Sequence, residues 1–150
     1  MILALDISKT NTGWAAGGYG TEITFGSRSF AGCGARAIVL TRFAAFVERM
    51  IPLFKPKALT IEAPLLYGGA PFLLIPMGAE AEKAAYRHNI TFSQYQPNSL
   101  KKFMTGNGEA SKDDMVFAVR ARGYKVNNDD EADAVALLLM HEAKTGGKLR

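Results

Sequence analysis

The sequence predicts an α/β fold in which a mixed five-stranded sheet is flanked by helices. Three short segments near the amino end have the apolar or alternating pattern of strands, which is typical of an antiparallel meander. Helical and strand patterns then alternate, and the chain ends in helices, an order typical of the α/β class. With 150 residues and no repeat, low-complexity tract or linker, residues 1–150 are expected to form one domain.

The amino-terminal strands are predicted from their apolar patterns and turns. Residues 2–5 are apolar and lead directly into Asp6 and a polar turn, as in a strand that is covered on both faces. Residues 13–16 continue as extended chain, and the glycine-rich segment 17–20 makes a hairpin turn. Alternation over residues 21–27 indicates the third strand.

The remaining elements follow from helical spacing, apolar runs and turn residues. Apolar residues at helical spacing predict a helix over 35–53, which residues 55–57 end. Residues 58–62 form a short apolar strand that again ends on a carboxylate. A helix follows Pro71 and is expected to be interrupted near residues 76–78. The later segments are the continuation of that helix over 79–88, a strand over 90–95, and helices over 97–104, 111–122 and 132–144.

Composition narrows the functional classes. No apolar stretch is long enough to span a membrane, and Met1 opens directly onto the first strand, so a cytoplasmic location is expected. One cysteine and two histidines are too few for a structural zinc site, so any metal should have oxygen ligands. The net charge is +4; if four acids bind metal, 18 basic residues face 14 − 4 = 10 other acids, leaving +8 for a phosphate backbone.

Four carboxylates are the candidate chemical groups. Asp6 and Glu62 each follow an apolar strand and should project from one edge of the sheet, where ligands collect in open α/β sheets. Asp130 and Asp133 have i, i+3 spacing at the start of a helix whose apolar surroundings indicate burial against the sheet. Four converging acids repel one another unless cations intervene, and two Mg²⁺ ions held by carboxylates are a known device for phosphodiester attack.

Some of these acids also have structural explanations. Asp6 could simply be a turn-forming residue. Asp129, Asp130 and Glu131 stand at a helix amino terminus, where capping and the helix dipole favour carboxylates. We accept that explanation for Asp129 and Glu131, whereas Asp130 and Asp133 are distinguished only by their partnership with Asp6 and Glu62.

The chain resembles the RuvC-type Holliday-junction resolvases of the RNase H-like superfamily. The resemblance covers most of the chain, and the order Asp, Glu, Asp, Asp in these contexts is its most specific part. The matching segments are 5–15, 61–62, 97–101, 105–112 and 130–136. It implies a metal-dependent endonuclease that resolves four-way DNA junctions by paired symmetric nicks. It also implies that Asp6, Glu62, Asp130 and Asp133 hold two Mg²⁺ ions, for which Mn²⁺ can substitute, with Lys101 and Lys112 near the scissile phosphate.

The expected DNA contacts are basic residues and one aromatic residue. Lys112 lies in the first turn of a helix, where a cation opposes the dipole, and this unfavoured position supports a phosphate contact. Where cellular family members have a junction-opening aromatic residue, this chain has Leu65, with Tyr67 nearby to stack on a base. This departure suggests a viral or otherwise divergent member. The expected DNA-binding residues are Lys9, Tyr67, Lys101, Lys102 and Lys112.

A homodimer is the expected assembly, because two matched nicks need two active sites related by a two-fold axis. The apolar residues over 72–77 could form its surface, although burial in the core explains them equally well. Three other functions compete with junction resolution. They are cleavage of flaps and forks, junction binding without catalysis, and an ATPase or sugar-kinase activity suggested by the polar turn after Asp6.

Overall fold

A computed structural model describes residues 1–8, 10–64 and 71–146 of the chain. It contains one mixed sheet with helices on both faces. The strands are β1 (Ile2–Ile7), β2 (Asn11–Gly18), β3 (Thr21–Ser29), β4 (Ala58–Glu62) and β5 (Thr91–Tyr95). The helices are α1 (Arg36–Phe54), α2 (Pro71–Arg87), α3 (Pro97–Thr105), α4 (Lys112–Ala121) and α5 (Asp129–Thr145). None of the described helices is long and apolar enough to cross a membrane.

The strand order is β3-β2-β1-β4-β5, which confirms the predicted mixed five-stranded sheet. The first three strands are antiparallel, and Tyr19 and Gly20 form their predicted hairpin turn with φ values of 54° and 84°. β4 and β5 run parallel to β1, with Leu5 opposite Ile61. The carboxyl ends of β1 and β4 therefore lie side by side, as the sequence predicts.

The sheet separates two hydrophobic cores. Because successive side chains of a strand point to opposite faces, Leu3 and Leu5 pack with α1 and α2, whereas Ile2 and Ala4 pack with α3, α4 and α5. Helix α5 lies across β1 and β2, and residues 134–138 are all buried. Its position confirms the prediction that the last helix is buried against the sheet.

Helix α2 is continuous, so the predicted interruption near residues 76–78 is wrong. Pro76 lacks the N–H group that would donate to the Phe72 carbonyl one turn earlier. The Arg36 side chain of α1 replaces that donor, because its Nε lies 3.0 Å from the Phe72 carbonyl oxygen. The guanidinium also lies 4.6 Å from the centroid of the Phe72 ring. A contact from another helix thus compensates for the proline.

The last two helices begin with side-chain caps. Ser111 and Asp114 form the predicted capping box at the start of α4. Helix α5 begins at Asp129, three residues before the predicted start, because the Asn128 side chain accepts a hydrogen bond from the Glu131 backbone N–H at 2.8 Å. This earlier start places Asp130 inside the helix rather than in its cap.

Candidate active site

Two of the candidate acids come from neighbouring parallel strands. Asp6 follows Ile2 and Ala4 in the alternation of β1, and Glu62 follows Thr60 in β4, so both side chains point to the face covered by α5. Both side chains are half-buried. The parallel pairing of β1 with β4 fixes their separation along the sheet edge, and no loop conformation is needed to bring them together.

Gly13 brings the start of α5 to the same edge. It pairs with Asp6 across β1 and β2, and its φ is not in the left-handed region. A Cβ atom on Gly13 would lie only 1.9 Å from the backbone carbonyl oxygen of Asp130. Glycine is therefore required by the close approach of two backbones, and this approach places Asp130 and Asp133 beside Asp6.

Three of the acids have raised pKa values, because they are partly buried and lie close to one another. Burial raises the pKa of Asp6 well above its usual range, and the negative charges of Asp133, Glu62 and Asp130 raise it further. Burial, followed by the charge of Asp133, raises the pKa of Glu62 to about 7. Burial and the nearby carboxylates of Asp129 and Asp130 raise the pKa of Asp133 to about 6. The four candidate acids therefore act on one another electrostatically.

Asp130 is the one of the four candidate acids to which a side chain among the described residues donates a hydrogen bond. The side-chain Nδ2 of Asn11 lies 2.6 Å from Asp130 Oδ2. Asn11 is itself held in a turn with Ser8, whose backbone N–H donates to the Asn11 carbonyl at 3.1 Å and whose hydroxyl donates to the same oxygen. Sequence reasoning missed Asn11, because the two partners are 119 positions apart and neither segment alone indicates the contact.

The two predicted lysines lie near the acids. The positive charge of Lys101 opposes the rise in the pKa of both Glu62 and Asp133. Lys112 is the first residue of α4, as predicted, and its Nζ lies 2.7 Å from Asp129 Oδ2. This ion pair raises the pKa of Lys112 and lowers that of Asp129. Lys102, the third predicted lysine of this region, is exposed on α3.

The structure corrects one part of the interpretation of Asp129 and confirms that of Glu131. Asp129 lies in the first turn of α5, where the helix dipole favours a carboxylate, but the cap is Asn128 and Asp129 pairs with Lys112. The sequence contained a signal for this arrangement, because Asn128 is a good cap and stands directly before the three acids. Glu131 is buried and accepts hydrogen bonds from the backbone and side chain of Asn127, at 2.7 and 3.1 Å, so its role is structural.

The carboxylates do not form a coordination shell as they stand. Within the described residues, no three His, Cys, Asp or Glu side chains are grouped closely enough to hold one metal ion. Their donor set nevertheless fits a hard cation, because all four contribute carboxylate oxygens. The raised pKa values of Asp6, Glu62 and Asp133 show a concentration of negative charge that a divalent cation would relieve. Lys9, Leu65 and Tyr67 lie outside the described residues.

The strand order and the flanking helices are those of an RNase H-like fold. The family model for "Crossover junction endodeoxyribonuclease RuvC" matches residues 35–141. The chain therefore belongs to the RuvC family, as the sequence resemblance predicts. Membership makes it a crossover junction endodeoxyribonuclease, an enzyme that resolves Holliday junctions, and nucleases of this family are metal-dependent.

Individual relatives support this assignment over different lengths. The RuvC protein of Orientia tsutsugamushi is 28% identical over 145 residues, which cover 91% of each chain. The RuvC protein of Brachyspira hyodysenteriae is 43% identical over 58 residues, which cover 38% of this chain and 36% of that protein. The Thermus thermophilus RuvC structure in complex with Holliday junction substrate superposes with a TM-score of 0.76 at 22% identity, covering 97% of this chain and 95% of that one. This last likeness establishes the fold.

Proposed function

We propose that residues 1–150 form one nuclease domain that cuts four-way DNA junctions by paired symmetric nicks at the acidic edge described above. The observation that carries this proposal is the placement of Asp6, Glu62, Asp130 and Asp133 at one end of the sheet, with Lys101 and Lys112 beside them. Lysines and paired acids are what a phosphodiester hydrolase needs, since the substrate is anionic and the attacking water must lose a proton.

The four acids would hold two Mg²⁺ ions, with Mn²⁺ as a substitute. When bound, such ions supply an activated water and stabilise the leaving oxygen. The protein contributes the positions of the ligands: β1 and β4 fix Asp6 and Glu62, and the contact at Gly13 fixes the start of α5. The raised pKa values of these carboxylates are consistent with a site that becomes fully ionised when cations bind.

The lysines would bind the scissile phosphate and the adjoining backbone. The Lys112 ammonium has three N–H donors, so it can keep Asp129 and still donate to a phosphate oxygen. Lys101 is half-buried, and its positive charge acts on Glu62 and Asp133. We propose more general DNA contacts for Lys9, Lys102 and Tyr67, and a cytoplasmic location, where bacterial DNA is found.

Cleavage of labelled substrates tests the chemistry. Purified protein is incubated with a four-way junction, a flap, a fork and a linear duplex, in Mg²⁺, Mn²⁺ or EDTA. We expect paired symmetric nicks in the junction, loss of cutting in EDTA, and a fall of about 10³-fold or more for Asp6→Asn. Asp113→Asn is the matched control, since Asp113 is an exposed acid in the first turn of α4, and it should cut like wild type.

Other results would change the proposal in distinct ways. Tight junction binding without cutting in either metal would replace catalysis by binding alone. Equal cutting of flaps, forks and junctions would keep the hydrolysis but remove the junction selectivity. If Asp6→Asn cuts as fast as wild type, the active site does not lie at the acidic edge.

A homodimer is proposed as the active assembly. Two exposed apolar residues of α2, Phe72 and Ile75, lie one turn apart, and Ile38 of α1 is also exposed. Phe72→Asp should therefore yield a monomer in sedimentation and uncouple the paired nicks, because burying a carboxylate in an interface is costly. Tyr86→Asp, at the other end of α2, is the control and should leave the dimer intact. A wild-type monomer at all protein concentrations would contradict this assembly.

A further inference from the structure

The ion pair of Lys112 and Asp129 joins the first residues of two helices. Lys112 begins α4 and Asp129 begins α5, and their Nζ and Oδ2 atoms lie 2.7 Å apart. Both backbones are fixed at this point, since Ser111 caps α4 and Asn128 caps α5 through their side chains. The pair therefore connects two rigid helix starts across the acidic edge of the sheet.

Stabilisation of the fold is a weak explanation for this pair. The Lys112 side chain is 80% exposed and the Asp129 side chain is 31% exposed. Exposed ion pairs contribute little to stability, because solvent screens the attraction and two side chains lose rotational freedom. A lysine at a helix amino terminus is also opposed by the helix dipole. The pair is better explained by what it does to the position of the lysine.

We propose that Asp129 is a positioning residue that holds the Lys112 ammonium at the acidic edge, oriented toward the scissile phosphate. An unpaired lysine side chain samples many rotamers, so its ammonium would spend little time beside the reacting group. In the ion pair, one N–H group serves Asp129 and two remain for phosphate oxygens. Asp129 also follows Asn128 and precedes Asp130 directly, so the same helix turn orders a candidate metal ligand and the lysine.

This inference rests on the proposed function, because it assumes that Lys112 contacts the phosphate during cleavage. The opposite role is also testable. If Asp129 competed with the phosphate for Lys112, removing its charge would release the lysine and accelerate cleavage. The sign of the effect therefore separates a positioning residue from an inhibitory one.

A double-mutant cycle on the cleavage rate tests the proposal. Single-turnover rates on a four-way junction are measured for wild type, Asp129→Asn, Lys112→Ala and the double variant, at saturating Mg²⁺. We expect Asp129→Asn to slow cleavage about tenfold, because misplacement of a reacting group costs rate rather than binding. Junction affinity in EDTA should change less than twofold. In the Lys112→Ala background, Asp129→Asn should have no further effect, because its influence passes through the lysine.

The controls separate this role from structural and metal effects. Asp113→Asn changes the neighbouring acid of α4 and should leave the rate unchanged, and Asp129→Glu should recover part of the lost rate. The thermal midpoint should be the same for Asp129→Asn and wild type, and each variant is assayed at its own saturating Mg²⁺ concentration, because the charge of Asp129 also acts on Asp133. An equal loss of rate in the Lys112→Ala background, or faster cleavage, would each overturn the proposal. Failure of the proposed function gives different results from failure of this inference. In that case wild type does not cut the junction, or Asp6→Asn still cuts it.

Discussion

The two faces of the sheet differ in chemistry and in packing. The face covered by α1 and α2 is apolar and aromatic, and Phe30 packs edge-on against Phe43 and Phe46 at centroid distances of 5.9 and 6.0 Å. The face covered by α5 carries Asp6 and Glu62. It also contains His141, whose Nδ1 lies 2.9 Å from the Tyr95 hydroxyl and whose buried Nε2 has no partner within the described residues.

This difference shows how one small domain holds an unfavourable site. Half-buried carboxylates that lie near one another lower stability. The face covered by α1 and α2 has none of the candidate catalytic residues. Its apolar core stabilises the sheet that carries the acids. Substitutions on the α5 face should therefore change the cleavage reaction most, whereas those on the α1 and α2 face should change stability or, at the exposed apolar residues of α2, assembly.

Among substitutions that leave the four candidate acids in place, the largest effect is expected for Gly13→Ala on the α5 face. The added methyl group would overlap the Asp130 carbonyl, so the start of α5 must move away from Asp6. We expect cleavage to fall by about 10²-fold or more, because small displacements of catalytic groups are costly. The free energy of unfolding should fall by about 1–3 kcal/mol. Cleavage assays and chemical denaturation measure the two effects.

Gly108→Ala is the matched control for this substitution. Its Cβ would meet the Asn98 carbonyl oxygen at 3.4 Å, an ordinary contact, and its φ is not in the left-handed region. It should fold and cut nearly like wild type. Wild-type cleavage by Gly13→Ala would mean that the contact with Asp130 does not position the site.

Asn11→Ala should have the next largest effect. The substitution removes the donor to Asp130 while leaving the backbone turn with Ser8. Residues that orient metal ligands typically alter metal affinity or activity by about 10–100-fold, and we expect a loss in that range. Mn²⁺ binding followed by calorimetry, together with cleavage, measures it. Ser8→Ala disturbs the same turn without touching Asp130, so a similar loss in that variant would assign the effect to the turn.

The crowded carboxylates predict an unusual pH dependence of stability in EDTA. Since folding raises the pKa of Glu62 from 4.5 to about 7, its contribution is fully present below pH 4.5 and is lost as pH rises through 7. Glu62→Gln should therefore match wild type near pH 4 and exceed it at pH 8, by an amount on the order of 2 kcal/mol. Denaturation at both pH values measures this. Added Mg²⁺ should stabilise wild type at pH 8 more than the variant, and a variant less stable than wild type at pH 8 in EDTA would contradict the crowding.

The strand edge and the helix caps could be predicted from the sequence because their signals are local. The apolar runs before Asp6 and Glu62 predict both strands, and parallel pairing then brings the two acids together. The spacing of Ser111 and Asp114 likewise predicts the start of α4. Family resemblance supplies the ligand assignment, which local patterns alone leave open between capping and metal binding.

The features that could not be predicted depend on contacts between distant segments. Pro76 indicates a helix break, and only Arg36 from another helix explains why α2 continues. Asn11 and Asp130 meet because β2 and α5 pack closely at Gly13. Asp129 reads as one of several capping acids until Lys112 is placed beside it. In each case the sequence supplies the residue, and tertiary packing supplies the partner.

The smallest effect is expected on the α1 and α2 face, from Arg36→Ala. This change leaves the Phe72 carbonyl without the donor that compensates for Pro76. We expect a loss of about 1 kcal/mol in the free energy of unfolding, the usual contribution of such a hydrogen bond. Cleavage at saturating protein should stay within twofold of wild type, because the site lies on the other face. Urea denaturation and cleavage assays measure both quantities.

Repeating Arg36→Ala in a Pro76→Ala background shows whether the loss of stability comes from the unpaired Phe72 carbonyl. Pro76→Ala restores a backbone N–H one turn after Phe72, so Arg36→Ala should cost less in that background. The part that remains would belong to the stacking of the guanidinium on the Phe72 ring, 4.6 Å from its centroid. An equal cost in both backgrounds would assign the whole effect to stacking. A large loss of cleavage in Arg36→Ala would contradict the view that the α1 and α2 face contributes stability and the α5 face contributes the active site.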